Sequence, residues 1–389
     1  MDIILVMILK NPVTWLRGNL AHNRGSSTAP FPQTLFLVVN SACNLHCKMC
    51  DIGMRDKDTQ FYKNMNTGGD MSMKTIEKII DGIRPHAPLI AIISTEPLLH
   101  PKIIDIIKTF RENGMKVQLT TNGLILPKFS EELVNADLDI LYVSIDGTRD
   151  VHNEIRGNPN AWDNAVEGMK LIYDYKEQQK KSYPKVRLNC TISGYNCDTI
   201  SEIPLSYYIP VRELDITEEI EPLEVSRFYT HIDFCHLNMI TKEMADAHNN
   251  GGFKYLVEAT QSSVSDPKVL DVDVDLLWDE MEIIKSTYSN KFYSFTPEIR
   301  TKEELIVYYK HPERFLENHC KCKVPWMSAQ ILADGTLGIA TRCFNVNLGN
   351  VNETPFKELW NGEKMKEFRK NLANVGAYPA CSRCCGVFG

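Results

Sequence analysis

Residues 34–50 read TLFLVVNSACNLHCKMC. An apolar, partly β-branched run breaks at Asn40 into a loop that holds Cys43, Cys47 and Cys50. The run is a strand signal, closed by Asn and Ser. The loop places three thiols within eight residues at that strand's carboxyl end. In a parallel α/β sheet this is the end where chemistry gathers. Two properties of the remaining chain decide what the loop is: whether further strands follow in parallel, and whether their ends carry polar groups.

The alternation does continue. Ser72 is an N-cap signal for a helix with Ile76, Ile79, Ile80 and Ile83 on one face. LIAIIS (89–94) is a short, wholly apolar run, the pattern of a strand buried on both faces. A helix is expected from Pro101 in its first turn to a stop at Gly114. KVQLT (116–120), DILYVSI (139–145), KVRLNCTI (185–192) and VRELDIT (211–217) read as further strands. Helices at 131–136 and 161–179 lie among them. Six such units in series predict an α/β fold, a partial (βα)6 TIM-like barrel. The second strand ends in Ser94, Thr95 and Glu96, the third in Thr121, Asn122 and Gly123, and the fourth in Ser144 and Asp146. Polar residues at four strand ends converge on one mouth, and that marks the cysteine loop as functional.

Beyond residue 217 the alternation weakens. An acidic patch (217–224), a polar mixed stretch (225–263) and an acidic helix signal (271–285) are expected to form an insertion over 218–319. That insertion either covers substrate or is a solvated helical elaboration. Residues 320–389 differ again. QILADGTLGIA (330–340) has an Asp-Gly turn between apolar runs, a hairpin signal, and FKELWNGEKMKEFRKNL (356–372) is helical in pattern. The organisation expected is an N-terminal extension (1–33), a core (34–217), an insertion (218–319) and a C-terminal hairpin-plus-helix domain (320–389).

Composition excludes several classes. The net charge of −7 argues against a nucleic-acid binder, which would need a basic face. MDIILVMIL (1–9) is too short to span a bilayer and lacks the basic start and cleavage site of a signal peptide. No transmembrane segment and a cytoplasmic location are therefore expected. Residues 10–24 are expected to pack on the core rather than on a membrane surface. Of twelve cysteines, three lie at 43–50 and six at 320–385. Without a secretory signal, such clusters mean metal or redox chemistry rather than a disulfide framework.

Three thiolates would leave one iron of a four-iron cubane open to a substrate or cofactor. Zinc is the competing reading and needs a fourth ligand, from His46 or elsewhere. The spacing Cys43-x3-Cys47-x2-Cys50 resembles the cysteine loop of the radical S-adenosylmethionine (SAM) superfamily. The resemblance covers about residues 34–216 and 320–389. It implies that Cys43, Cys47 and Cys50 hold a 4Fe–4S cluster and that SAM chelates the open iron, with Met49 near the adenine. The family's GGE motif falls on Ser94, Thr95 and Glu96, with Glu96 near the SAM amino group. Ser144 and Asp146 match polar positions near the SAM ribose or carboxylate, and Arg156 is a further carboxylate-binding candidate. Both glycines of GGE are replaced here. Glycine permits close backbone approach, whereas Ser94 and Thr95 offer side-chain hydrogen bonds instead.

The tail resembles the auxiliary-cluster domain called SPASM in its shortened twitch form. The pattern is Cys322-x15-Gly338-x4-Cys343 followed by Cys381-x2-Cys384. The resemblance implies that Cys322, Cys343, Cys381 and Cys384 close a second 4Fe–4S cluster, with Cys320 and Cys385 as alternative ligands. A zinc knuckle is the other reading of this tail.

The resemblance further implies ferredoxin or flavodoxin as one-electron donor, and cleavage of SAM to a 5′-deoxyadenosyl radical that abstracts hydrogen from a C–H bond. It favours two-electron oxidation of a small metabolite or sugar-like molecule. A peptide- or protein-modifying maturase is the alternative. A non-catalytic iron–sulfur carrier and a structural zinc protein are the readings from other classes. A general base is required, and no residue in the sequence stands out for that role.

Overall fold

The computed structural model describes residues 12–54, 56–203, 228–253, 258–263, 266–318, 322–339 and 347–384. Its frame is one nine-stranded sheet. The strands are β1 (Thr34–Leu37), β2 (Leu89–Ile92), β3 (Val117–Thr121), β4 (Ile140–Ser144), β5 (Lys185–Thr191), β6 (Ile232–Cys235), β7 (Tyr293–Thr296), β8 (Ser328–Ile331) and β9 (Leu337–Gly338). Their spatial order is β7-β6-β5-β4-β3-β2-β1-β8-β9. Every neighbouring pair is parallel except the β8–β9 hairpin. Seven strands laid down in sequence order, with helices between them, make the partial barrel that the sequence predicts.

Local chemistry explains the elements. All of β2 is buried, as its apolar run requires. Ser72 Oγ accepts the Thr75 N–H at 3.1 Å and starts the helix Met73–Ile83, which buries Ile76, Ile79, Ile80 and Ile83. The helix Ile103–Glu112 begins two residues after Pro101. Its chain leaves through Gly114 at φ +77°, a left-handed conformation that only glycine adopts without strain. The helix Ala161–Gln179 has the expected bounds.

Residues 218–319 contribute strands, where an insertion was expected. β6 and β7 extend the parallel sheet beyond β5. They escape sequence reading because they carry polar side chains where a buried strand normally shows apolar ones. Asp233 is held by Arg187 of β5 at 3.3 Å and by His231 at 3.4 Å, with Ser294 of β7 donating to it as well. The strand expected at 211–217 lies outside the described residues.

The tail and the N-terminus are knitted together. β8 pairs with β1, so the tail hairpin joins the barrel sheet directly. The Trp326 and Trp360 indoles donate to Ser26 O and Pro30 O, at 2.7 and 2.8 Å. Asn361 exchanges two hydrogen bonds with the Ala29 backbone. Residues 26–30 are thereby part of the tail's packing.

Candidate active site

The cysteine loop leaves β1 and is tied to the residues that follow β2 and β3. Its backbone is fixed at close quarters. A Cβ on Gly53 would lie 2.6 Å from Cys47 N and 2.7 Å from Cys47 O, so the short helix Asp51–Met54 can pack there only with glycine. Lys48 N donates to Ile155 O at 2.9 Å. The Lys48 ammonium bonds Glu154 and Tyr195, both at 2.9 Å.

The residues in the GGE position bind the loop. Ser94 Oγ accepts the Asn40 N–H at 2.8 Å and lies 2.7 Å from Asn40 O. Thr95 Oγ1 donates to Ala42 O. Both hydroxyls, expected to face a ligand, hold the backbone just ahead of Cys43. Glu96 is fully buried. Its carboxylate accepts from Thr121 Oγ1 at 2.8 Å, Leu98 N at 3.1 Å and Asn122 N at 2.7 Å. Burial raises its pKa, against those three donors. Glu96 thus ties the end of β2 to the end of β3.

Asn122 carries the link onward. Its side-chain amide donates to Asn44 Oδ1 at 2.8 Å and approaches Cys43 Sγ at 3.9 Å. This residue was legible as part of a polar strand end but not as a partner of the thiols. From the β4 end, Asp146 Oδ2 lies 2.6 Å from Arg156 Nε, and Arg156 Nη1 lies 3.7 Å from Cys47 Sγ. Burial works against the Arg156 charge, but Asp146 and Cys47 outweigh it and hold the guanidinium protonated. Arg156, expected to meet a ligand carboxylate, is paired with Asp146. Asn196, which sequence reading passed over, donates to Asp146 O at 2.6 Å. Ser144 is buried in register with Asn189 of β5, and Met49 is buried in the main core.

The three loop thiols sense one another. Burial pushes Cys47 up to about 12, with Arg156 opposing and Cys50 and Cys43 adding to the rise. Cys43 is also raised, chiefly by burial. Metal binding would displace these protons. In the tail, burial raises Cys381, and Cys384 and Cys322 raise it further, so these three thiols share one neighbourhood. Burial lifts Cys322 to about 11. Cys343, Cys320 and Cys385 lie outside the described residues. Among the described residues no three His, Cys, Asp or Glu side chains converge on a single-ion position. A cubane spreads its thiolates over separate irons, one on each, and the two thiol groups suit that donor set.

Comparison with known proteins bears on the same two regions. The family model described as "Radical SAM superfamily" matches residues 37–180, and the SPASM model, "Iron-sulfur cluster-binding domain", matches residues 320–385. Together they cover more than half of the chain.

The chain belongs to the radical SAM superfamily. It is an enzyme of that family with a SPASM tail. The radical SAM domain implies a 4Fe–4S cluster and SAM, and the SPASM domain implies further iron–sulfur binding. The chain is 22% identical, over 90% of its length and 86% of the relative's, to the tungsten-containing aldehyde ferredoxin oxidoreductase cofactor-modifying protein of Pyrococcus furiosus. It is 25% identical to the AdoMet-dependent heme synthase of Methanosarcina barkeri, over 50% of this chain and 56% of that one. Among solved structures, Streptococcus suis SuiB bound to the precursor peptide SuiA superposes with a TM-score of 0.57 at 14% identity, covering 90% of this chain and 69% of SuiB. Native anSMEcpe with bound AdoMet and Cp18Cys peptide gives 0.52 at 16% identity, covering 86% of this chain and 81% of that one. At these identities the structures establish the fold. No helix among the described residues is long and apolar enough to cross a membrane.

Proposed function

We propose that this radical SAM enzyme abstracts hydrogen from an unactivated C–H bond and completes a two-electron oxidation of its substrate. Bound at the cysteine loop, the cluster and SAM supply one-electron cleavage of the sulfonium to methionine and a 5′-deoxyadenosyl radical. Cys43, Cys47 and Cys50 are the proposed ligands. The observation that carries the reading is the chain of contacts from Glu96 through Asn122 to Cys43, and from Asp146 through Arg156 to Cys47. It presets the loop before any ligand binds, which lowers the ordering cost of assembling the site.

Loss of a hydrogen atom, a proton and an electron is a two-electron oxidation. A tail cluster held by Cys322, Cys343, Cys381 and Cys384 has no open iron, which suits it to accept the electron rather than to bind substrate. The substrate class proposed is a small metabolite or sugar-like molecule, with ferredoxin or flavodoxin as reductant. The second reading is a peptide substrate, favoured by the peptides bound to SuiB and anSMEcpe.

The test is anaerobic reconstitution followed by reduction with dithionite in the presence of SAM. Formation of 5′-deoxyadenosine is expected, with its loss when Cys43, Cys47 and Cys50 are all replaced by alanine while the tail cluster's absorbance persists. Equal 5′-deoxyadenosine from the triple variant sinks the assignment. A product two hydrogens lighter than its substrate supports oxidation, and its chemical class decides between metabolite and peptide.

A further inference from the structure

The helix Pro12–Asn23 has two dissimilar sides. Gly18 and Asn19 are buried, and a Cβ on Gly18 would lie 2.5 Å from Met327 Sδ. His22 meets Trp326 edge-on, ring centroids 5.0 Å apart. That side is closed against the tail. The other side carries Val13, Leu16 and Leu20, which are 55%, 53% and 41% exposed. Spacings of three and four residues put them in one stripe. No other element among the described residues exposes three large apolar side chains. The expected packing of this stretch on the core therefore accounts for only one of its sides.

Charge distinguishes the possible occupants. The chain carries a net charge of −7, yet no acidic residue occurs between Asp2 and Asp51. The charged residues of that span are Lys10, Arg17, Arg24 and Lys48, all basic. Arg17 and Arg24 are exposed, and Arg17 lies four residues from Val13, on the stripe's side of the helix. In the sequence, the run MDIILVMIL precedes this helix, separated from it by Lys10 and Asn11. An apolar stripe edged by cations, on a stretch of sequence without acidic residues, is complementary to a phospholipid surface: the leucines enter the acyl boundary and the arginines meet the phosphates. A protein groove would use the stripe but would not require such a long acid-free span.

We propose that the face formed by Val13, Leu16 and Leu20, with Arg17 and Arg24, seats the protein on an anionic membrane surface. This inference is independent of the C–H chemistry proposed above. The full chain is mixed with vesicles of phosphatidylglycerol and phosphatidylcholine, or of phosphatidylcholine alone, and floated through a density gradient. The wild type is expected to float with the anionic vesicles and to be released by high salt. Leu16→Glu with Leu20→Glu should cut bound protein by about tenfold or more. Arg17→Glu with Arg24→Glu should weaken it on anionic vesicles, and Ile306→Glu, at an exposed site elsewhere, should leave it unchanged. All these positions are exposed, so an unchanged thermal melt confirms folding. Absence of wild-type flotation overturns the proposal. Flotation that survives Leu16→Glu with Leu20→Glu overturns it too, because another segment then carries the binding. A dimer seen by light scattering that this pair of substitutions dissolves, without vesicle binding, assigns the face to a second copy and also overturns it.

Discussion

Arg156 joins Asp146 to Cys47: its Nε lies 2.6 Å from Asp146 Oδ2 and its Nη1 3.7 Å from Cys47 Sγ. One buried guanidinium thus connects the end of β4 to the middle of the cysteine loop. Replacing Arg156 with methionine leaves the Asp146 carboxylate buried without its cation. Breaking a buried pair from one side costs roughly 3–5 kcal/mol. The expected outcome is a loss of that size in urea unfolding of the metal-free protein. Asp146→Asn combined with Arg156→Met should recover part of it. No recovery in the double variant would mean that the guanidinium acts through packing alone.

Glu96→Gln should destabilise the protein before it affects any ligand. Three donors, Thr121 Oγ1, Leu98 N and Asn122 N, converge on the carboxylate. An amide offers one oxygen and turns its own N–H toward a donor. Leaving a buried group unsatisfied costs roughly 1–3 kcal/mol. Unfolding midpoint and cluster retention should fall together. Normal stability with much weaker SAM binding would instead place this carboxylate at the ligand.

Acid should weaken the fold through His236. It is buried at the end of β6, its Nδ1 2.9 Å from Tyr309 OH. Burial, with a smaller push from Lys285, lowers its pKa from 6.5 to about 3. Between those values the unfolded chain binds more protons than the native one. Its contribution is therefore complete above pH 6.5 and declines as the pH falls toward 3. At pH 5 the loss is about 2 kcal/mol. His236→Gln should flatten the dependence of unfolding free energy on pH between 7 and 5. An unchanged slope would locate the titration elsewhere.

Arg383 should hold the tail's cysteine turn in place. It lies between Cys381 and Cys384 in the sequence, and its side chain is buried. Nε donates to Tyr308 O at 3.3 Å and Nη2 to Tyr309 O at 2.7 Å, at the end of the helix Lys302–Lys310. Hydrogen bonds from a charged donor contribute about 1.5–3 kcal/mol. Arg383→Met should lower iron retained by the tail while 5′-deoxyadenosine formation persists. Full iron occupancy in the variant would show that the clamp is dispensable.

The sequence by itself determined the barrel strands up to β5, the helices Met73–Ile83, Ile103–Glu112 and Ala161–Gln179, the tail hairpin and the two cysteine groups. These are local signals: apolar runs bounded by turn residues, a cap at Ser72, an Asp-Gly turn and thiol spacing. Tertiary structure decided what they could not express. Asp233 looks unfit for a buried strand until Arg187, His231 and Ser294 surround it, and β6 was invisible for that reason. Ser94, Thr95 and Glu96 were marked as ligand-facing by their place in a motif, and Arg156 as a carboxylate-binding candidate. In the fold their polar atoms meet Asn40, Ala42, Asn122, Asp146 and Cys47. A residue's type and position restrict which bonds it can form. Which bond it does form depends on the groups that distant parts of the chain bring within 3 Å or so of it, and burial then makes leaving that bond unmade too costly.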